Sequence, residues 1–192
     1  MYMPKLTFVF IAICTAFFLV EFILPIFDLF AFIPVLAYEE PWRFVTAIFL
    51  HAGFDHLFFN MFALFVFGIY LESIIGYKRF LLLFFTAGIA GNFAYMLLSP
   101  NSGIPAVGAS GAIYGIIGML AIMRPSLIVY VGYIPMPMIV AATLWTIMEF
   151  AGMFIPSNIA REAHLAGIVL GVLYGWLTKK RRGKEKLLIM RY

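Results

Sequence analysis

Apolar residues gather into six stretches, separated by short segments rich in polar residues and turn formers: 6–27, 54–75, 80–98, 108–123, 133–154 and 160–178. Most reach the roughly 20 residues that a bilayer-crossing helix needs at about 1.5 Å of rise per residue. The fourth is shorter than the others. The pattern predicts an all-α polytopic membrane protein. Its expected form is one compact domain over 1–192, a bundle of six transmembrane helices with a basic tail over 179–192. The apolar run from Leu6 is too long for a signal-peptide core, and no small-residue cleavage site follows it, so it reads as a retained first helix.

The connections carry information of their own. The first, about 28–50, mixes Phe30, Phe32, Tyr38, Trp42 and Phe44 with Asp28, Glu39, Glu40 and Arg43, a composition suited to an element lying in the membrane interface. The third, Ser99-Pro-Asn-Ser-Gly-Ile-Pro105, is uncharged and full of turn formers. Non-helical backbone is tolerated at membrane depth only where protein or a water-filled cavity satisfies it. This loop and the short fourth helix after it therefore predict a wet cavity.

Composition supports this class and closes off others. The 192 residues are 65% hydrophobic and 11% charged, far more apolar than a soluble domain of this size requires. The formal charge of +4 speaks to topology and lipid headgroups rather than nucleic acid. With the N-terminus inside, eleven of the thirteen Lys and Arg share its side: Lys5, Lys78, Arg79, Arg124 and the tail cluster Lys179, Lys180, Arg181, Arg182, Lys184, Lys186 and Arg191. Only Arg43 and Arg161 fall opposite. The positive-inside bias thus predicts a multi-pass plasma-membrane protein with both termini cytoplasmic. The single Cys14 allows no intramolecular disulfide and reads as a small core residue.

Against this background a few polar residues stand out. Ser110, in Val107-Gly-Ala-Ser-Gly-Ala-Ile-Tyr-Gly115, falls in the first turn of the fourth helix. Backbone N–H groups there lack intrahelical partners, and the helix dipole favours negative charge. A serine in that place can attack a carbonyl while its own N–H holds the oxyanion. Taken alone, such a string more often packs than reacts, since Gly111, Gly115 and Gly118 form a small-residue stripe. His164 begins the sixth helix and shares a face with Gly167 and Gly171, a groove that Gly175 continues. Both helices start from the same side, so their glycine faces bring Ser110 and His164 to one depth, and that convergence turns the reading from packing to chemistry. His56 and Asn60, four apart at the start of the second helix, offer two donors for an oxyanion hole, while His51 belongs to the loop or cap before it. A metal site is the rival use of three histidines, but no H-E-x-x-H or other ligand spacing supports it, and no cofactor is called for.

These residues resemble the signature of the rhomboid intramembrane serine proteases. The resemblance is carried by Gly108-Ala-Ser110-Gly111, Ala163-His164-x-x-Gly167, His56-x-x-x-Asn60, Trp42-Arg43, Gly68-x-x-x-Glu72-x-x-x-Gly76 and Tyr114, in family order along nearly the whole chain. It implies a Ser110–His164 dyad with no third acid, Glu149 and Glu162 being present but not required. It implies an oxyanion site from the Ser110 N–H, His56, Asn60 and possible help from His51, and Tyr114 stacked under His164. It further implies cleavage of transmembrane protein substrates at small residues near helix breakers. The gate is expected at the fifth helix or the loop around Pro156. Glu72 is expected to be paired within the second helix's surroundings, and Trp42 and Arg43 to anchor the first loop at the interface. Glu21 is left between snorkelling outward and bonding inside the bundle. The competing classes are a non-catalytic rhomboid-like protein that binds membrane proteins and a small transporter; the latter predicts interrupted helices in matching halves, and none is visible.

Overall fold

The computed structural model describes residues 4–155, 157 and 159–189, with side chains as far as Lys180. Helix α1 runs Leu6–Glu21. It stops short of the expected end at 27 because Leu24 precedes Pro25, which disfavours helical backbone at the residue before it. The N-terminus of α1 is capped in trans. The buried Glu72 carboxylate accepts from the N–H groups of Lys5 (3.0 Å), Leu6 (3.0 Å) and Thr7 (2.9 Å), and from the Thr7 hydroxyl at 2.8 Å. An acid at a helix N-terminus satisfies orphan donors and meets the positive end of the dipole.

The first loop is a folded unit of four short helical turns, Phe27–Phe30, Pro34–Leu36, Arg43–Thr46 and Ala47–Phe49. Arg43 corrects the expectation of an interface anchor, because its side chain turns inward and is only 3% exposed. It donates to the Ala31 carbonyl at 2.7 Å and to the Glu40 carboxylate. Buried charge needs such partners. Trp42 stays half exposed, with its indole N–H on the Leu29 carbonyl at 3.3 Å. Asn92 ties the unit down through the Phe44 carbonyl at 2.9 Å, and Phe32 pairs with Ala106 of the third loop through two backbone bonds of 3.0 and 2.8 Å.

Helix α2, Phe54–Ile75, carries one wide π-type turn at Leu64–Gly68. Gly76, with φ +79°, reverses the chain into α3, Tyr77–Leu98. These two helices are long and apolar enough to cross a membrane, while α1, α4 and α5 are shorter apolar helices. Helix α4, Ser110–Met123, is the axis of the molecule. Eleven of its fourteen residues are buried, which explains why it is apolar on every face.

A small antiparallel hairpin follows and corrects the all-α expectation. Strand β1, Ile128–Val131, lies in the expected loop and pairs with β2, Ile134–Pro137, which takes positions expected to begin the fifth helix. The β-branched run Ile128-Val129 favours a strand. Gly132, at φ +63°, opens the two-residue turn between Val131 and Ile134. Helix α5 is therefore Met138–Gly152, beginning after Pro137, whose ring suits a helix boundary. Helix α6 runs Arg161–Ile189, well beyond the expected end at 178 and into the basic segment. Lys179 Nζ donates to the Ile122 carbonyl at 3.3 Å, so the first cation of that segment serves the last turn of α4. The gate candidate Pro156 lies outside the described residues.

The α4–α6 contact is made of backbone. A Cβ on Gly167 or Gly171 would be driven into the carbonyl oxygens of Gly111 and Gly115, and one on Gly175 would come 3.2 Å from the Met119 carbonyl. The register repeats every four residues on both helices, which run in the same direction. Gly171→Ala is thus expected to lose about 1–3 kcal/mol of stability through overpacking, against a gain of roughly 1 kcal/mol in helix propensity. Gly103→Ala, where an added Cβ meets nothing within 4 Å, is expected to stay within about 0.5 kcal/mol of the parent. Thermal unfolding of both variants in detergent checks the pair.

Candidate active site

The site lies where α2, α4 and α6 begin and α5 ends. Gly108 sets the entry to α4. Its φ of +119° is a conformation that side chains rarely adopt, and its N–H donates to the Ala47 carbonyl at 2.9 Å. The turn delivers Ser110 as the first residue of the helix. His164 lies in the first turn of α6. The glycine contact between the two helices brings the side chains together, with Ser110 Oγ 2.8 Å from His164 Nε2.

The imidazole is held on two further sides. Tyr114, one turn along α4, stacks on it with ring centroids 4.5 Å apart and planes 20° from parallel. Glu149 of α5 places Oε2 3.1 Å from His164 Nδ1, within ion-pair reach though off the line of a ring N–H bond. This arrangement corrects the expectation that no acid stands at an orienting position. Glu149 lies in the last turn of α5, three residues before its end at Gly152. The carboxylate is itself fixed, with Oε1 accepting from the Tyr114 hydroxyl at 2.6 Å and Oε2 from Arg161 Nη1 at 3.2 Å. Glu162 turns elsewhere and accepts a long bond of 3.5 Å from Ser99 Oγ.

On the opposite side stand the α2 residues. His56 packs against Gly108, where an added Cβ would come 2.9 Å from Nε2. Its Nδ1 accepts from the Ala52 N–H at 3.4 Å, so the neutral ring carries its proton on Nε2. Asn60 is buried one turn further along, and its amide donates one hydrogen to the His56 carbonyl at 2.8 Å. His51 is 1% exposed and meets His56 edge to face at 5.2 Å. Burial pushes His51 down to about 4, with the neighbouring His56 adding to the effect, so its ring is neutral at physiological pH.

A cavity of about 350 Å³ opens between the third loop and the facing ends of α5 and α6. Tyr95, Ser99, Ser102, Gly152, Arg161 and Glu162 contribute to its lining. It occupies the place that the uncharged loop predicts. The loop is held by Tyr95, whose hydroxyl bonds Ser102 Oγ at 2.9 Å and the Ile104 carbonyl at 3.0 Å. Glu21, the last residue of α1, has Oε1 buried without a hydrogen-bond partner among the described residues.

Residues 38–181 match the family model of the rhomboid domain. The chain belongs to the rhomboid family. YdcA of Bacillus subtilis, a rhomboid-type protein, is 38% identical over 152 residues, covering 78% of this chain and 73% of the relative. The rhomboid protease GluP of the same organism is 36% identical over 138 residues, covering 71% of this chain but 26% of that larger protein. The mitochondrial rhomboid protein 1 of Saccharomyces cerevisiae is 30% identical over 151 residues, 74% of this chain and 43% of its own length. Rhomboid membership and the apolar helices make this a membrane protein, and relatives named as proteases support protease function.

Gly108 is a sharp probe of the site, because both its φ and its contact with His56 exclude a side chain. Gly108→Ala is expected to cost about 1–3 kcal/mol of local strain and to slow Ser110 phosphonylation by a fluorophosphonate on the order of 10-fold. Unaltered labelling kinetics at an unaltered melting temperature would contradict the tight fit of His56 on this turn.

Proposed function

We propose that the chain is an intramembrane serine endopeptidase that hydrolyses peptide bonds in or beside the transmembrane segments of other proteins. The observation that carries this reading is the 2.8 Å contact between Ser110 Oγ and His164 Nε2 at the start of two helices. In the proposed mechanism His164 takes the Ser110 proton as the oxygen attacks the scissile carbonyl, then gives it to the leaving amine. Water repeats the sequence on the acyl-enzyme. The oxyanion is met by the Ser110 N–H, unpartnered within the first turn of α4, by the His56 Nε2–H, and by the second amide hydrogen of Asn60. His51 supports His56 from behind. Gly108, Gly111 and Gly167 serve the site by close packing, and Tyr114 holds the ring of His164.

Six membrane crossings, cytoplasmic termini and a site opening to the outside of the plasma membrane complete the proposal. The Lys and Arg distribution supports that orientation, and the cavity between the third loop and the start of α6 is the proposed route for water. Helix α5 is the proposed gate. Its outward residues Leu144, Ile147, Met148 and Phe150 are all exposed, so it packs on the bundle from one side only. A substrate helix must unwind to offer a carbonyl, and broken backbone bonds are costly in lipid, so segments with helix breakers are the proposed substrates.

Covalent labelling by a fluorophosphonate, together with cleavage of a model transmembrane substrate, tests the reading. Wild type is expected to label and cleave. Ser110→Ala abolishes both, and His164→Ala slows both by about 10²–10⁴-fold. Full labelling and cleavage in His164→Ala sinks the proposed pair. A wild type that neither labels nor cleaves favours a non-catalytic rhomboid that binds membrane proteins.

A further inference from the structure

The Ser110–His164 pair leaves Glu149 unexplained as a matter of packing alone. An acid within an apolar helix is costly unless its oxygens are satisfied. Here both oxygens are engaged, and the partners are the tyrosine that stacks on His164, the arginine at the start of α6, and His164 itself. Three helices thus converge on one imidazole. Ser110 and Tyr114 come from α4, Glu149 from α5, and Arg161 from the same turn of α6 as His164, while His56 of α2 is the remaining titratable group close by.

We infer that Glu149 is a positioning residue for the proposed reaction, adding a third, orienting member to the Ser110–His164 dyad. The inference depends on the protease reading above and adds a residue to it. A neutral imidazole must present a lone pair at Nε2 to accept the serine proton, which requires its own proton on Nδ1. A carboxylate 3.1 Å from Nδ1 selects that tautomer, and a modest turn of the ring brings the N–H into line. When the serine proton moves to Nε2, the ring becomes an imidazolium. The Nδ1 proton stays on the ring, Glu149 stays ionised, and its charge stabilises the cation until Nε2 returns a proton to the leaving amine. Tyr114 and Arg161 keep the carboxylate aimed, and Arg161 moderates its charge.

The rival explanation is a clamp: an ion pair with Arg161 that pins α5 to α6 and has no bearing on the imidazole. Four variants separate the two. Glu149→Gln keeps the shape and removes the charge, Glu149→Leu removes the polar group, Glu149→Asp keeps a carboxylate on a shorter stem, and Arg161→Leu breaks the clamp while leaving the acid on His164. The positioning role expects kcat to fall on the order of 10²-fold in Glu149→Gln and further in Glu149→Leu. KM stays within about two-fold, Glu149→Asp recovers part of the loss, and Arg161→Leu loses less than Glu149→Gln. With three histidines in the chain, ¹⁵N spectra of histidine-labelled protein report the His164 tautomer directly. The wild type is expected as the Nδ1–H form and Glu149→Leu as a mixture. Equal losses in Arg161→Leu and Glu149→Gln, or an unchanged tautomer in Glu149→Leu with kcat within two-fold of wild type, overturns the positioning role while leaving the protease reading intact. A wild type without turnover or labelling overturns the protease reading instead.

Discussion

Two helical backbones in direct contact set everything else in this molecule. In lipid, burying an apolar side chain against another gains little, because the surrounding tails are just as apolar. Association then depends on how closely atoms pack and on which polar groups find partners. Gly167, Gly171 and Gly175 of α6 lie on the carbonyls of Gly111, Gly115 and Met119 of α4, an approach that leaves no room for a larger residue at Gly167 or Gly171. The serine and histidine at the start of these helices are therefore held by main chain, not by flexible side chains. A 2.8 Å contact between them follows from the register.

The polar residues are arranged around that axis in a consistent way. The buried acids Glu72 and Glu149 act on helix ends, as does the exposed Lys179. Glu72 meets the start of α1, Lys179 the end of α4, and Glu149 the start of α6 through Arg161 and His164. Desolvation penalises isolated charge severely, so these placements are where ionised or hydrogen-bonding groups survive in an apolar interior. The first loop follows the same logic, with Arg43 buried against the Ala31 carbonyl and the Glu40 carboxylate.

How much of this was legible in the sequence follows from what each feature depends on. The pairing of Ser110 with His164 was readable because glycine periodicity is a local property of each helix, and two such faces have one natural way to meet. The cavity beside the third loop was readable for a similar reason, since uncharged turn formers ahead of a short helix need somewhere to go. Glu149 was visible as an acid in an apolar helix, but its contact with His164 depends on how α5 leans on α6 and on where α5 ends. The start of α5 moved too, because the second strand of the hairpin took positions 134–137 that were expected to be helical, a choice made by Gly132 and the β-branched run before it. The inward turn of Arg43 depends on the Ala31 carbonyl and the Glu40 carboxylate, which become neighbours only when the loop folds. The same composition also fits an interface anchor, which Trp42 beside it still resembles.

The cap on α1 bears on how the protein is made. The N–H groups of Lys5, Leu6 and Thr7 wait for a carboxylate some 65 residues downstream. During synthesis, at about 5–20 residues per second, α1 emerges several seconds before Glu72 exists to receive it. Until then its first turn is left to water or headgroups, which places it at the membrane surface. The first turn of α1 thus reaches its final bonding only when α2 has arrived alongside it.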